Sequence, residues 1–584
     1  MTGPSRLAWL GLVLLAGLSY FQYPGRRYLE SDTQIYAPMF ERFRDPGLLE
    51  RDPMVTRAHT AFSLYDELAM AAARVTGLDF EPSLGLLHVA VRVALLAGIF
   101  LMARAMGLSE LLAFACAGVY ALGGSVAGPS VLLVEYEPVP RAFALAPVLL
   151  AIGFMGQNRP LAASLAASLG FLLHPTTAAP FWTIFVILLF VPDDPGEMKR
   201  RLWGLVPLAA AMLALKLAAS HQAGLTERQA FLASIDPGWE QLVRLRAPYV
   251  WVSLWPRLYF WQYGLMLVAA GAAYWRLRRF LQPGLRFFLL GLCGLGLASL
   301  PVSYLLLEKV KWAMMPQAQP LRTILFLQLF TLLLALVMAF ELACREGRPD
   351  AALWWAAVAL AIGVQPRLLF VLLPPALSWL SGSRWRWAGL PAAAAVAWGR
   401  PFGLVIWRGD PRRDLFLVLA LGLAFALAAA LYTRSARRGG VAVVMVVLAA
   451  FFAVPGEWRL LSSSRPRNPD LEALAAWARA HTDPAAVFLF ADAGRSLEPG
   501  VFRARSARAL YVDWKGGGQV NFFREYSRQW WQRWQQTLAE PFRPEAMREY
   551  RRLGIDYIVI SPRDRFPGPP PVFENPRYLV YAVH

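Results

Sequence analysis

Apolar runs, most of them roughly 17–25 residues and so long enough to cross a bilayer as a helix, follow one another from the N-terminus to about residue 455. They fall near 7–23, 83–104, 109–126, 139–156, 160–173, 176–192, 201–220, 258–275, 284–305, 319–342, 350–364, 367–381, 387–400, 413–432 and 440–455. The run at 160–173 and those on either side of Gln365-Pro366 are short. Broken or re-entrant helices of this kind are tolerated where they line a cavity. The connector 24–82 is far longer than most loops in compact structures. Its apolar positions (Phe62, Leu64, Leu68, Met70, Val75) have mixed helical spacing, which predicts helices lying along the membrane surface.

Beyond about 465 the pattern changes. Asn468-Pro469-Asp470 opens a helix over 471–481, with Asp470 as its N-cap. Residues 487–490, 510–513, 555–560 and 577–583 read as strands, and 520–538 as a Trp-rich helix. Gly516-Gly517-Gly518 reads as a flexible turn and 567–571 as a stiff proline-rich loop. The expected fold is mainly α: a polytopic transmembrane helical bundle over 1–460, with a small C-terminal α/β domain over 465–584.

Composition sharpens this picture. Of 584 residues, 57% are hydrophobic and only 17% charged, with mean hydropathy +0.42; a soluble chain carries about a quarter charged residues. The net charge of +19 is spread over membrane-flanking connectors and the C-terminal tail, without a nucleic-acid-binding motif, so anionic lipid is the expected partner and nucleic acid is not. The three cysteines (Cys116, Cys293, Cys344) form neither a disulfide framework nor a metal spacing. The N-terminal apolar run reads as an uncleaved first span. Basic connectors alternate along the chain (Arg159; Lys199 to Arg201; Arg276 to Arg279; Arg345 to Arg348; Arg384 to Arg386; Arg434 to Arg438). By the positive-inside rule they are cytoplasmic, as is the N-terminus, and the C-terminal domain is extracytoplasmic. Arg408, Arg412 and Arg413 run against that scheme.

The same scheme gathers the polar outliers on the outer face. Glu30 and Asp32, in Glu30-Ser31-Asp32-Thr33, can hold a divalent cation (Mg or Mn) between them, or divide a base role from an orienting one. Ser31-Asp32-Thr33 also reads as a helix N-cap. Asp45-Pro46 and Asp52-Pro53 are turn formers. In Glu135-Tyr136-Glu137-Pro138-Val139-Pro140-Arg141, the arginine can bind a lipid phosphate bidentately or pair with its own neighbours. His174, between two apolar runs, needs a partner or a polar cavity, and can donate to a phosphate. Lys309, Lys311 and Arg322 bracket Trp312 and Gln319, a set that suits a lipid-linked phosphate, with Trp312 able to stack on a sugar. Asp32 and Glu30 are therefore the candidate catalytic residues; Arg141, His174, Lys309, Lys311 and Arg322 the candidate phosphate ligands; Glu135, Glu137, Gln319 and Trp312 the further substrate contacts. P-loop, dinucleotide, zincin and nucleophile-elbow motifs are absent from the sequence.

Several short pieces carry a resemblance: Ser31-Asp32-x-x-x-Tyr36, Arg44-Asp45-Pro46, Asp52-Pro53, Pro140-Arg141-x-Phe143, Leu173-His174-Pro175, Gln319-Pro320-x-Arg322, and Phe502-Arg503-x-x-Ser506-x-Arg508 leading to Val512-Asp513-Trp514-Lys515. With the layout of spans, they resemble the GT-C superfamily of membrane glycosyltransferases, and within it a group of bacterial membrane proteins. The resemblance implies transfer of a sugar from a polyprenyl-phosphate-linked donor to a glycan, lipid or protein acceptor, at the outer face of the bacterial inner membrane. It puts the base role on Asp32 or Glu30. Glu-Ser-Asp stands where an Asp-Asp doublet would be clearer, which leaves open which carboxylate acts and whether a metal is used. A lipid or polysaccharide transporter and a non-catalytic scaffold of an envelope-assembly complex are the alternatives.

Overall fold

The computed structural model describes residues 5–20, 28–57, 63–191, 195–221, 230–380, 384–399, 411–454 and 468–583. Within the described residues every apolar run of the sequence falls on a helix; residues 21–23 of the first run and the run ends at 192, 381, 400 and 455 lie outside them. Among the described residues, six helices suffice by length and composition to cross a membrane: Phe80–Ala105, Met198–Ala219, Pro283–Lys309, Met315–Cys344, Arg412–Arg434 and Ala436–Ala453. Shorter apolar helices, among them Pro140–Met155, Pro160–Leu173 and Pro175–Leu189, complete the bundle of a multi-pass membrane protein.

Helix Leu325–Cys344 runs through the middle of the bundle, with nearly all its side chains buried. Its polar donors find partners inside the bundle, as a helix shielded from water favours: the Gln328 amide donates to Ser125 O at 3.0 Å and Ile362 O at 3.1 Å, and the Thr331 hydroxyl to Leu327 O at 2.6 Å. Small residues set the close crossings. A Cβ at Gly98 of helix Phe80–Ala105 would lie 2.6 Å from the Leu149 backbone of helix Pro140–Met155, so these two helices approach backbone to backbone. Arg92, buried on the first of them, donates to Ser19 Oγ and to Glu135 O, both at 2.8 Å, and stacks on the Tyr20 ring. It thereby ties the bundle to the loop that carries the candidate acids.

At one end of the bundle the long connector folds into helices Thr33–Arg44, Pro53–Thr56 and Tyr65–Thr76. The connector 221–257 adds an amphipathic helix, Pro237–Arg246, capped by Asp236, whose carboxylate accepts from Trp239 N. The C-terminal unit sits against this end. Its five strands are ordered Ala509–Leu510, Val487–Phe490, Tyr557–Ile560, Leu579–Ala582 and Phe573–Glu574; the first three are parallel and the last two join antiparallel. The expected strand at 510–513 is thus two residues long and begins at Ala509. Strand Phe573–Glu574 has too few apolar positions to be read from its pattern. The N-cap of helix Pro469–His481 is Asn468, whose side chain accepts from Leu471 N; Asp470, expected there, lies inside the helix because Pro469 takes its first position. The Gly516-Gly517-Gly518 turn is part of a 3₁₀ helix, Lys515–Asn521, wedged between the unit and the bundle, and is not a free loop.

Candidate functional site

Asp32 stands at the start of helix Thr33–Arg44, yet its side chain makes no capping bond. The cap comes from another element. The buried Glu137 carboxylate accepts from Glu30 N and Ser31 N, both at 2.8 Å, from Thr33 N at 3.2 Å and from the Thr33 hydroxyl at 2.6 Å. A negative charge at a helix N-terminus is favourable, and it frees Asp32 from the role its sequence position suggests. Burial raises the Glu137 carboxyl above the usual carboxylate range, although the bonds from Thr33 and Ser31 oppose this. The turn is tight: Leu29 has φ +63°, a left-handed conformation costly for a residue with a Cβ, and the Gln34 amide holds its carbonyl at 2.8 Å.

Freed in this way, the Asp32 carboxylate binds two cations. Oδ2 accepts from Arg141 Nη1 at 2.5 Å and Oδ1 from Lys515 Nζ at 2.7 Å. Burial alone would raise this carboxyl, but Lys515 and Arg141, by charge and by hydrogen bond, hold it well below the usual range. Arg141 opens helix Pro140–Met155, and Glu135 grips it from behind through Nε to Oε1 at 2.6 Å and Nη2 to Oε2 at 3.1 Å. This fork, a geometry only arginine offers, leaves one guanidinium arm for Asp32.

These groups face a cavity of about 390 Å³, lined also by Tyr36, His174, Thr176, Arg246, Tyr249, Gln317, Gln319, Arg322 and Phe522. His174 occupies the break between helices Pro160–Leu173 and Pro175–Leu189, its Nδ1 within 2.8 Å of Thr177 Oγ1 and 3.0 Å of Thr176 Oγ1. Gln319, at φ +46°, turns the chain before Arg322. Arg246 donates to Trp514 O at 2.6 Å and lies 3.8 Å over the Trp514 ring; burial pushes its guanidinium down to about 10. Among the described residues four cations, Arg141, Arg246, Arg322 and Lys515, thus meet one lining carboxylate, Asp32. A narrower apolar crevice shares Arg141 and Arg322 with the cavity and runs past Leu145, Pro180, Leu325 and Phe326.

Of the residues singled out from sequence, Asp32, Arg141, His174, Gln319 and Arg322 line the cavity. Glu135 and Glu137 stand behind it, holding Arg141 and the Asp32 loop. Glu30 is buried and is not a lining residue. Lys309, Lys311 and Trp312 do not join Arg322. A left-handed turn at Lys311 (φ +61°) sends this segment to pair with Ser234, where Lys311 Nζ binds Glu240 at 2.6 Å and the Trp312 indole donates to Phe231 O. Lys309 is exposed, 5.2 Å over the Tyr304 ring. Arg246 escaped the sequence reading because Arg244 and Arg246 resemble the solvated face of an amphipathic helix; Pro248-Tyr249 directly after it is the signal that the chain turns inward there. A divalent cation shared by Asp32 and Glu30 does not fit this arrangement, because both Asp32 oxygens carry cationic donors. Among the described residues no group of three or more His, Cys, Asp or Glu is placed to hold a metal.

A domain family of unknown function, DUF6798, matches residues 469–537. No curated protein matches the chain in sequence. Among solved structures, ArnT from Cupriavidus metallidurans in the apo state is 13% identical over 98% of this chain and 97% of its own, with a TM-score of 0.48. The same protein bound to undecaprenyl phosphate is 14% identical over 99% of each chain, with a TM-score of 0.44. The archaeal oligosaccharyltransferase AglB from Archaeoglobus fulgidus, in complex with an inhibitory peptide and a dolichol-phosphate, is 11% identical over 95% of this chain and 69% of its own, with a TM-score of 0.42. At these values the likeness bears on neither substrate nor residue roles.

Proposed function

We propose that the chain is a membrane glycosyltransferase of the GT-C kind, taking a sugar from a polyprenyl-phosphate-linked donor. The observation that carries this reading is the pairing of two spaces. A cavity with four cations and one carboxylate adjoins an apolar crevice between helices Pro140–Met155, Pro175–Leu189 and Leu325–Cys344, and Arg141 and Arg322 line both. The cations suit an anionic head group, and the adjoining crevice, about 30 Å³, offers apolar wall for the start of a lipid chain.

In this reading Arg141, Arg246, Arg322 and His174 hold the phosphate and stabilise the charge that builds on it as the sugar–oxygen bond breaks. Asp32 takes the proton of the acceptor hydroxyl as that oxygen attacks the anomeric carbon. Glu135 fixes the Arg141 fork, and Glu137 fixes the loop that aims Asp32. Tyr36, Tyr249 and Phe522 offer faces for a sugar ring. The acceptor side is the outer face of a bacterial inner membrane, as the sequence resemblance implies. The transporter alternative asks for charges facing a path through the bilayer; of the two mid-span cations of the sequence, Arg92 is buried and tied to Ser19, Tyr20 and Glu135, and Lys216 is exposed on the outside of helix Leu205–His221.

Purified chain incubated with radiolabelled polyprenyl-phosphate sugars and candidate acceptors should transfer label. Asp32→Asn should abolish transfer while expression and thermal midpoint stay near wild type. Full transfer by that variant would remove Asp32 from the mechanism, and vectorial movement of lipid without transfer by wild type would favour the transporter.

A further inference from the structure

Paired with Lys515 and Arg141, Asp32 is a poor base: a carboxylate saturated by two cations has little affinity for a proton. Something must release it, and the two cations differ in how firmly they are held. Arg141 is forked by Glu135 and cannot leave without breaking two further bonds. Lys515 is a compact charge on a flexible stem. Its Nζ meets Asp32 Oδ1 at 2.7 Å and Ser31 Oγ at a long 3.4 Å.

The backbone beneath Lys515, by contrast, is anchored on every side. Asp513 accepts from Arg503 Nη1 at 2.8 Å and from Gly516 N at 3.1 Å, the Trp530 indole donates to Asp513 O at 2.9 Å, and the Tyr526 hydroxyl to Gly516 O at 2.8 Å. Gly517 is packed so closely that a Cβ would strike Arg246 Nε and reach the Trp530 ring at 2.7 Å. A fixed base with a movable tip is the construction of a side chain that changes partners.

We propose that Lys515 is an exchangeable counter-ion, which neutralises Asp32 while the cavity holds no anion and passes to a phosphate when one enters, leaving Asp32 free to act. This rests on the reading of the cavity as a phosphate site and adds to it a role for the C-terminal unit. The stretch 469–537, matched by a domain family of unknown function, supplies through Lys515 a working part of the site, beyond covering it. The electrostatics favour the exchange. An entering phosphate competes with Asp32 for the same ammonium, and with Arg246 and Arg322 also drawing it in, its oxygens arrive within reach of the lysine tip.

The test is calorimetric titration of decyl phosphate into the detergent-purified full chain, which measures anion binding without requiring sugar transfer. Lys515→Met should weaken binding by about tenfold and Lys515→Arg by much less. Asp32→Asn should tighten it several-fold, because it removes the competitor, and most of that gain should vanish in the Asp32→Asn/Lys515→Met double variant. Lys309→Met, which alters a cation outside the cavity, should bind as wild type does. If Lys515 is only a strut between the unit and the bundle, Asp32→Asn and Lys515→Met will both weaken binding, or the Asp32→Asn gain will be the same in either background; both results overturn the exchange. If wild type does not bind decyl phosphate, the phosphate-site reading itself fails. If wild type binds and Lys515→Met binds equally well, only the exchange fails.

Discussion

At the scale of single residues the site is a hierarchy of charges, each held by another. Arg92 fixes the Glu135 backbone, the Glu135 carboxylate forks Arg141, and Arg141 presents one arm to Asp32. Arg141→Lys keeps the charge but cannot be bidentate to Glu135 while also reaching Asp32. We expect a fall in kcat/KM of about 100-fold, the equivalent of two lost charge-assisted bonds, shared between KM and kcat because the misplaced ligand both holds the phosphate and stabilises its developing charge. A variant within threefold of wild type would remove the fork from the argument. Arg141 and His174 were legible in the sequence because each is a charged or polar group at the edge of an apolar run, where it is costly without a role, and Asp32 as one of an acid pair in the long connector 24–82. Lys309 and Lys311 carried the same signal and were misread: closeness to Arg322 in sequence did not survive the left-handed turn at Lys311, a conformation that side-chain type does not announce.

At the scale of elements, the hydrophobic pattern gave the helices and the alternation of short buried runs gave the parallel strands. Neither gave the packing between them. Gly516-Gly517-Gly518 shows why. Three glycines read as freedom, because a pattern has no information on what lies opposite. In the structure they let a 3₁₀ turn lie flat against Arg246, Trp530 and Ile35. Gly517→Ala should therefore push Arg246 or Trp530 aside, raising KM for the lipid donor by about tenfold with a smaller effect on kcat. Gly264→Ala is the control: that helical position has open space around it, and the substitution should be silent or slightly stabilising. Equal KM values in the two variants would mean that the turn adapts and Arg246 keeps its place. The break between helices Pro160–Leu173 and Pro175–Leu189 was legible from Leu173-His174-Pro175, since proline cannot continue a hydrogen-bonded helix and the histidine needs a polar space.

At the scale of the whole molecule, activity depends on how the C-terminal unit is seated on the bundle, and one buried cluster dominates that joint. Asp52, which caps helix Pro53–Thr56, also accepts from Leu510 N at 3.0 Å, while Arg503 lies between Asp52 (3.6 Å) and Asp513 (2.8 Å) with all three side chains out of solvent. Asp513 in turn carries the loop that ends in Lys515. Removing the cation from a buried carboxylate–arginine–carboxylate arrangement leaves two like charges facing one another, at a cost of about 3–5 kcal/mol. Arg503→Met should lower the thermal midpoint and weaken decyl phosphate binding, although Arg503 is not a residue of the cavity wall. The loss should depend on pH, with a definite sign. Burial already raises the Asp52 carboxyl above its ordinary value, Asp513 adds to this, and Arg503 opposes both. Without Arg503 the folded-state value rises further, so the carboxyl favours the folded state when protonated and ceases to do so as pH rises through that value. The deficit of Arg503→Met relative to wild type should therefore be smaller at pH 5 than at pH 8, measured as the difference in thermal midpoint at each pH. Arg577→Ala, an exposed arginine 4.0 Å from Glu498, should show neither the deficit nor its pH dependence. A deficit of constant size across that range would mean that Arg503 acts through its packing alone, and the charge cluster would not be what seats Lys515 over Asp32.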